Sequence, residues 1–387
     1  MEREVMDFIL ERALKEYPLL SDILFTPYHP LEVLEHGRLN KIKLDGLNVL
    51  SPFQIESIAL YIIGNRQRLL KDLVKTGSCD LPYQINNVRF RVNIFSQRTG
   101  YAIVMRKLPS EVPTIDHLKL PSIFYEIAKE VSGIVLVTGP TGSGKSTSIA
   151  ALLEEINHNR YCHIITLEDP IEFIFTSEKA TFNQRELGTD FSDFASGLRA
   201  ALRQAPHIIM VGEMRDSETV KVALSAAETG HLVLSTLHTS YASQTIFRII
   251  DMVGKEEKHF VRARLAGSLK WIICQRLIPR LDGGRIAIFD ILYNNLMVRE
   301  AILQEKNPGF FYEIMKKRTF GMQTFDQELL SLYERGVIDE ITAITYASHR
   351  SVVRQGIDKI KVKRGEPTTD LKDLSLEEEK EEKIGFI

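Results

Sequence analysis

This sequence predicts an α/β fold on three observations. A short β-branched run at residues 134–138 (Ile-Val-Leu-Val-Thr) leads into a glycine-rich loop and then an Ala- and Leu-rich helical stretch to Ile156. Three more apolar runs of strand length follow, and each ends in polar or acidic residues and is spaced by helical text. Ahead of them, residues 88–95 alternate apolar and polar side chains cleanly, which marks a half-exposed strand in a separate α+β region.

The loop is Gly139-Pro140-Thr141-Gly142-Ser143-Gly144-Lys145-Ser146, followed by Thr147, and it fits the phosphate-loop pattern G-x-x-x-x-G-K-[ST]. Its glycines let backbone N–H groups turn onto phosphate oxygens, and the helix start adds partial positive charge. Lys145 is expected to reach the β- and γ-phosphates of ATP, and the Ser146 hydroxyl to ligate Mg²⁺. The bare pattern arises by chance in roughly one chain in a hundred of this length. The flanking strand and helix make chance a poorer explanation.

Composition narrows the class. The chain has 387 residues, 44% apolar and 26% charged, enough for two or three domains. A net charge of −2 gives no global basic field, so nucleic acid is not an expected partner. Cys79, Cys162 and Cys274 are scattered without a C-x-x-C pair, which argues against a zinc ribbon or a disulfide framework. No apolar run reaches membrane-spanning length, and the first residues resemble no signal peptide. A cytoplasmic protein is expected, with any membrane association peripheral.

Taken in order, residues 3–16 read as a helix closed by Pro18, residues 22–48 as strands, and 53–73 as one helix. Residues 88–95 and 101–107 form a hairpin that ends an α+β domain at 1–108. Arg89, Arg91 and Arg106 lie on that hairpin, with Arg89 and Arg91 opposite Phe90 and Val92. Such arginines form either a solvated face or a cationic face aimed at phosphate. Residues 109–118 carry two prolines near their start and read as a linker.

The strand at 163–167 ends in Glu168-Asp169-Pro170-Ile171-Glu172, and acidic residues at such a strand end sit where ligands bind in open α/β sheets. Residues 191–204 read as a helix. The strand at 208–211 ends in Gly212-Glu213, the place of an acidic residue near metal and attacking water, with Gly212 where many such enzymes have Asp. Residues 217–229 form a helix closed by Gly230. His231 and His238 bracket the next strand, and a histidine there suits a γ-phosphate sensor. Residues 243–252 and 256–275 read as helices, 276–285 as a turn, 291–360 as a helical domain, and 361–387 as a charged tail.

The ordered set of phosphate loop, Glu-Asp-Pro-Ile-Glu at 168–172, Gly-Glu-Met-Arg-Asp at 212–216 and Gly-His-Leu-Val-Leu-Ser-Thr-Leu-His-Thr at 230–239 closely resembles the type II/IV secretion ATPase superfamily. Within it, the chain is similar to the type IV pilus retraction ATPases, over about residues 18–356. Arg89-Phe90-Arg91-Val92-Asn93 and Gly321-Met322-Gln323-Thr324-Phe325-Asp326 match that subfamily too. The resemblance implies a PAS-like N-terminal domain, a RecA-like P-loop core at 119–290, a helical C-terminal region and a hexameric ring. It implies Glu172 as the base that activates water, Glu213 as a partner of Mg²⁺ or its water, and His238 as γ-phosphate reader. Glu168 and His231 join the nucleotide-binding set, and the three arginines would neutralise phosphate charge.

The implied work is ATP-driven pilus retraction and twitching motility, through an inner-membrane platform protein. The tetracysteine zinc module usual in assembly ATPases is absent, which favours retraction. Two features qualify the match. The retraction motif that begins Ala-Ile-Arg reads Met297-Val298-Arg299 here. Leu118-Lys119-Leu120-Pro121, the run at 321–327 and the charged tail lean toward the accessory retraction ATPase, which acts with a paralogous motor. An accessory nucleotide-binding subunit and a secretion or assembly ATPase are the alternatives.

Overall fold

The structure, a computed structural model, describes residues 3–43 and 48–368, so the charged tail expected at 361–387 lies outside the described residues from 369 onward. The chain opens with α1 (Arg3–Glu16), β1 (Leu20–Phe25), β2 (Leu31–Glu35), β3 (Arg38–Ile42), α2 (Pro52–Ile63), α3 (Gln67–Thr76), β4 (Ser78–Ile85), β5 (Val88–Gln97) and β6 (Gly100–Lys107). It continues with α4 (Ile123–Ile127), β7 (Gly133–Thr138), α5 (Lys145–Asn159), β8 (His163–Glu168), β9 (Thr181–Glu186), α6 (Phe194–Ala201), β10 (Ile208–Val211), α7 (Ser217–Glu228) and β11 (Leu232–Leu237). Last come α8 (Ala242–Asp251), α9 (Lys258–Ser268), β12 (Leu269–Pro279), β13 (Arg285–Tyr293), α10 (Leu296–Leu303), α11 (Pro308–Met315), α12 (Phe325–Glu334), α13 (Glu340–Thr345) and α14 (Arg350–Arg364).

These elements form two compact units, Met1–Lys119 with Ile149–Gly212 and Leu120–Ser148 with Glu213–Ile387. In the first, six antiparallel strands run in the order β3-β2-β1-β6-β5-β4. Met6, Ile9 and Leu10 of α1 and Phe25 and Phe90 of the sheet share one buried core. The same unit holds parallel strands in the order β10-β8-β9. In the second, β7 runs parallel to β11 and to β12, and β12 pairs antiparallel with β13. β7, β10 and β11 are buried along their whole length, as their apolar runs require.

Three expectations change. The single helix expected at 53–73 is two, because Gly64 takes a φ of 58° and ends α2, while Pro52 and a Ser51–Gln54 capping box start it. The helix expected at 191–204 is only α6, which starts at its Asp193 cap. The helix expected to reach Gln275 stops at Ser268, and β12 replaces its second half. The run Trp271-Ile272-Ile273-Cys274 is buried beside β7, and a strand buried on both faces has no alternation to betray it. The turn expected at 276–285 is the bend of the β12–β13 hairpin, with the strand ends on either side of it. β4 and β9 add strands that the sequence pattern does not mark.

Candidate functional site

The phosphate loop lies in the second unit, between the C-terminal end of β7 and the start of α5. Gly139, Gly142 and Gly144 take φ values of 141°, 78° and 88°, which side-chain-bearing residues rarely adopt. The tip at Pro140, Thr141 and Gly142 is exposed, while Ser143 and Lys145 are buried. Lys145 Nζ donates to the carbonyl oxygens of Gly139 at 2.9 Å and Pro140 at 3.1 Å. The Ser143 hydroxyl is buried without a hydrogen-bond partner in the protein. An orphaned donor, a buried cation and a helix N-terminus gathered on one loop suit anionic oxygens.

β11 lies beside β7, with Leu237 opposite Thr138, so His238 follows the strand at the same end as the loop. Its Nε2 stands 3.5 Å from a Glu213 carboxylate oxygen. Arg215 pairs with the other oxygen of that carboxylate. Met214 N donates to Thr236 O, which pins the Glu213 segment to β11. Thus Glu213 and His238, expected to act together, are brought together, and Arg215 joins them. His231 does not join them. It lies at the opposite end of β11, about 23 Å of strand away from His238. There its Nδ1 meets Ala226 O at 3.0 Å, at the end of α7. The two histidines flank the strand in sequence, but the strand separates them in space.

The first unit holds the other expected residues. Glu168 ends β8 and is buried; its carboxylate accepts from Thr166 Oγ1 at 2.6 Å and Gln184 Nε2 at 3.2 Å. Burial pushes it up to about 6, against the pull of those hydrogen bonds and with help from the nearby Glu172 charge. Gly212, where Asp is common, donates its N–H to Leu167 O at 2.7 Å. A Cβ there would lie 3.1 Å from the same oxygen, so close backbone approach accounts for the glycine.

Register places Arg91 directly opposite Arg106 across β5 and β6, so the three arginines share one sheet face. Each is engaged within its unit. Arg89 donates to Ile171 O at 2.7 Å and Glu172 O at 3.2 Å. Arg91 meets Asp80 at 3.4 Å and Arg106 meets Asp22 at 2.9 Å. Glu186 accepts from Ile171 N at 3.2 Å, so the segment carrying Glu172 is held at both the N–H and the C=O of Ile171. Glu186 carries no signal in the sequence, because β9 has no apolar alternation.

Residues 71–366 match the type II/IV secretion system protein family. The chain belongs to that family. It is 42% identical over 324 residues to the type IV pilus retraction ATPase PilT of Pseudomonas aeruginosa, covering 84% of this chain and 93% of the relative. It is 37% identical over 341 residues to the type IV pilus ATPase PilU of the same organism, covering 86% and 87%. The crystal structure of the pilus retraction motor PilT with bound ADP superposes with a TM-score of 0.81 at 40% identity, covering 89% of this chain and 97% of that one. The α/β, RecA-like fold expected from the sequence is therefore the fold of the chain.

Proposed function

We propose that this chain is an ATP hydrolase that works as a hexameric motor for type IV pilus retraction. The observation that carries the reading is the phosphate loop with the Glu213–His238 pair in the same unit, in a chain 42% identical to a pilus retraction ATPase. ATP is the substrate. Lys145 leaves the Gly139 and Pro140 carbonyls to hold the β- and γ-phosphates, and Ser143 donates to them. Ser146 and Glu213, the latter partly through water, would hold Mg²⁺, which neutralises charge on the phosphates. No cluster of three metal-ligating side chains occurs among the described residues, which suits Mg²⁺ kept by one hydroxyl, one carboxylate, phosphate and water.

Glu172 takes the proton of the attacking water, and Glu168 supports it from its buried position. His238 reads the γ-phosphate through its hydrogen bond, and Glu213 orients that imidazole. Arg89, Arg91 and Arg106 supply positive charge to the phosphates. The parts divide into an N-terminal PAS-like domain at 1–108, a linker at 109–118, a RecA-like core at 119–290 and a helical region at 291–360. No helix among the described residues is long and apolar enough to cross a membrane. In this reading the motor meets the inner membrane peripherally, from the cytoplasm, through a platform protein. A paralogous retraction ATPase is a second partner. Identity of 42% to PilT against 37% to PilU favours the main motor over the accessory one toward which the sequence leaned.

Phosphate release by the purified chain tests the reading. Lys145→Ala and Glu213→Gln are each expected to lower turnover about a hundredfold or more, since the first removes positive charge at the reacting phosphate and the second weakens the hold on the Mg²⁺ that neutralises it. Wild-type turnover in both variants would overturn it.

A further inference from the structure

We infer that Gln275 is a positioning residue for the phosphate loop, setting the loop's shape and so its affinity for the nucleotide's phosphates. The inference rests on the phosphate-loop reading above and adds a residue outside the motif. β12 runs parallel to β7 with Cys274 opposite Thr138, so Gln275 lies alongside Gly139, where the loop begins. The residue is 3% exposed. Its Oε1 accepts from Ser148 Oγ at 2.7 Å, in the first turn of α5. Its backbone carbonyl occupies the space a Cβ on Gly139 would need. Its Nε2 would lie 2.9 Å from a Cβ on Gly144. One residue thus touches the loop at its entry, at its last glycine and on the helix it feeds.

Those contacts are costly to replace. A buried amide is tolerated only when hydrogen-bonded, and Ser148 supplies the bond. Removing it leaves the Ser148 hydroxyl in the same part of the fold as the already unpartnered Ser143 hydroxyl. The amide is also neutral. A carboxylate of the same size would keep an acceptor for Ser148 and place negative charge against Gly144, where the nucleotide's phosphates bind. Gln275 therefore acts through the loop, by fixing its backbone and by keeping the wall behind it uncharged.

The test is ADP affinity by titration calorimetry on the full chain with MgCl₂, alongside thermal melting. Ser148→Ala and Gln275→Met are each expected to weaken binding about fivefold, the share of one net hydrogen bond. The double variant is expected to be no weaker than the worse single, because both remove the same bond. Gln275→Glu is expected to weaken binding at least about tenfold and more than Gln275→Met, a difference that packing alone does not produce. If Gln275→Met fails to fold, Ser148→Ala and Gln275→Glu decide. Wild-type affinity in the Gln275 and Ser148 variants, with altered melting alone, would overturn the inference while Lys145→Ala has lost ADP binding. Wild-type affinity in Lys145→Ala would overturn the phosphate-loop reading itself.

Discussion

The glycines of the phosphate loop share a motif and a positive φ, yet their surroundings differ. At Gly139 an added methyl meets the Gln275 carbonyl and lies 2.8 Å from Ser143 Oγ, so the backbone itself must move. At Gly142 nothing lies within 4 Å, and the only penalty is the left-handed conformation, about 1–2 kcal/mol. Gly139→Ala is therefore expected to abolish ADP binding, and Gly142→Ala to weaken it by tenfold or so; calorimetric titration of the two variants separates them. Equal losses in both would mean that φ alone governs the loop. At this scale the sequence was informative wherever chemistry has a motif. Gly139, Lys145, Glu213 and His238 are legible because phosphate binding needs those residue types at those spacings. Gln275 was not, since an amide inside Ile-Ile-Cys-Gln-Arg-Leu has no pattern and acquires its meaning only from the strand pairing with β7. His231 shows the opposite failure: a residue next to a functional strand in sequence lies at the strand's far end.

Elements are legible where burial is one-sided, as in β5, or where a fully buried apolar run is short and bounded by polar residues, as in β7, β10 and β11. β5 alternates and reads as a strand, as does its partner β6; β12 is buried on both faces, follows α9 without a break and reads as helix. β12 also carries much of the second unit's internal architecture, because β13 pairs along it and two acids, buried Asp290 and half-buried Glu328, bind helices to β13. Asp290 of β13 accepts from Ala242 N at the start of α8. Glu328 of α12 accepts from Phe289 N of β13 and from Gln323 Nε2. Burial pushes both carboxyls up to about 7, against hydrogen bonds and the pull of Arg276 on Asp290 and of Arg335 and Arg318 on Glu328. The folded state then binds more protons than the unfolded one between about pH 4 and pH 7. Stability falls as pH rises through that window, because the unfolded chain ionises first. Asp290→Asn and Glu328→Gln keep an acceptor for the backbone N–H and remove the charge. Each is expected to raise the urea midpoint at pH 8 relative to wild type and to change it little at pH 4.5. A pH dependence as steep as wild type in both variants would place the titration elsewhere.

For the whole molecule, the order of motifs along the chain was the legible feature. Phosphate loop, acidic strand end, Gly-Glu strand end and His-bearing strand end occur in one sequence order, and the family match at residues 71–366 spans all four. What the order does not encode is how chains cooperate, because contacts between copies depend on surface shape and carry no motif. A ring motor makes a specific claim on this point. If hydrolysis at one site depends on the neighbouring chain, an inactive chain poisons its ring. Lys145→Ala chains mixed with wild type at constant total concentration should then lower phosphate release faster than the wild-type fraction falls. The mixture must be allowed to exchange chains first, and light scattering gives the assembled mass. A strictly linear decline, with mixed assemblies present, would mean that each chain hydrolyses alone; the proposed ring would then be a scaffold and not a coupled motor. A super-linear decline together with a specific activity that rises with protein concentration ties turnover to assembly, as a motor that must pass work from chain to chain requires.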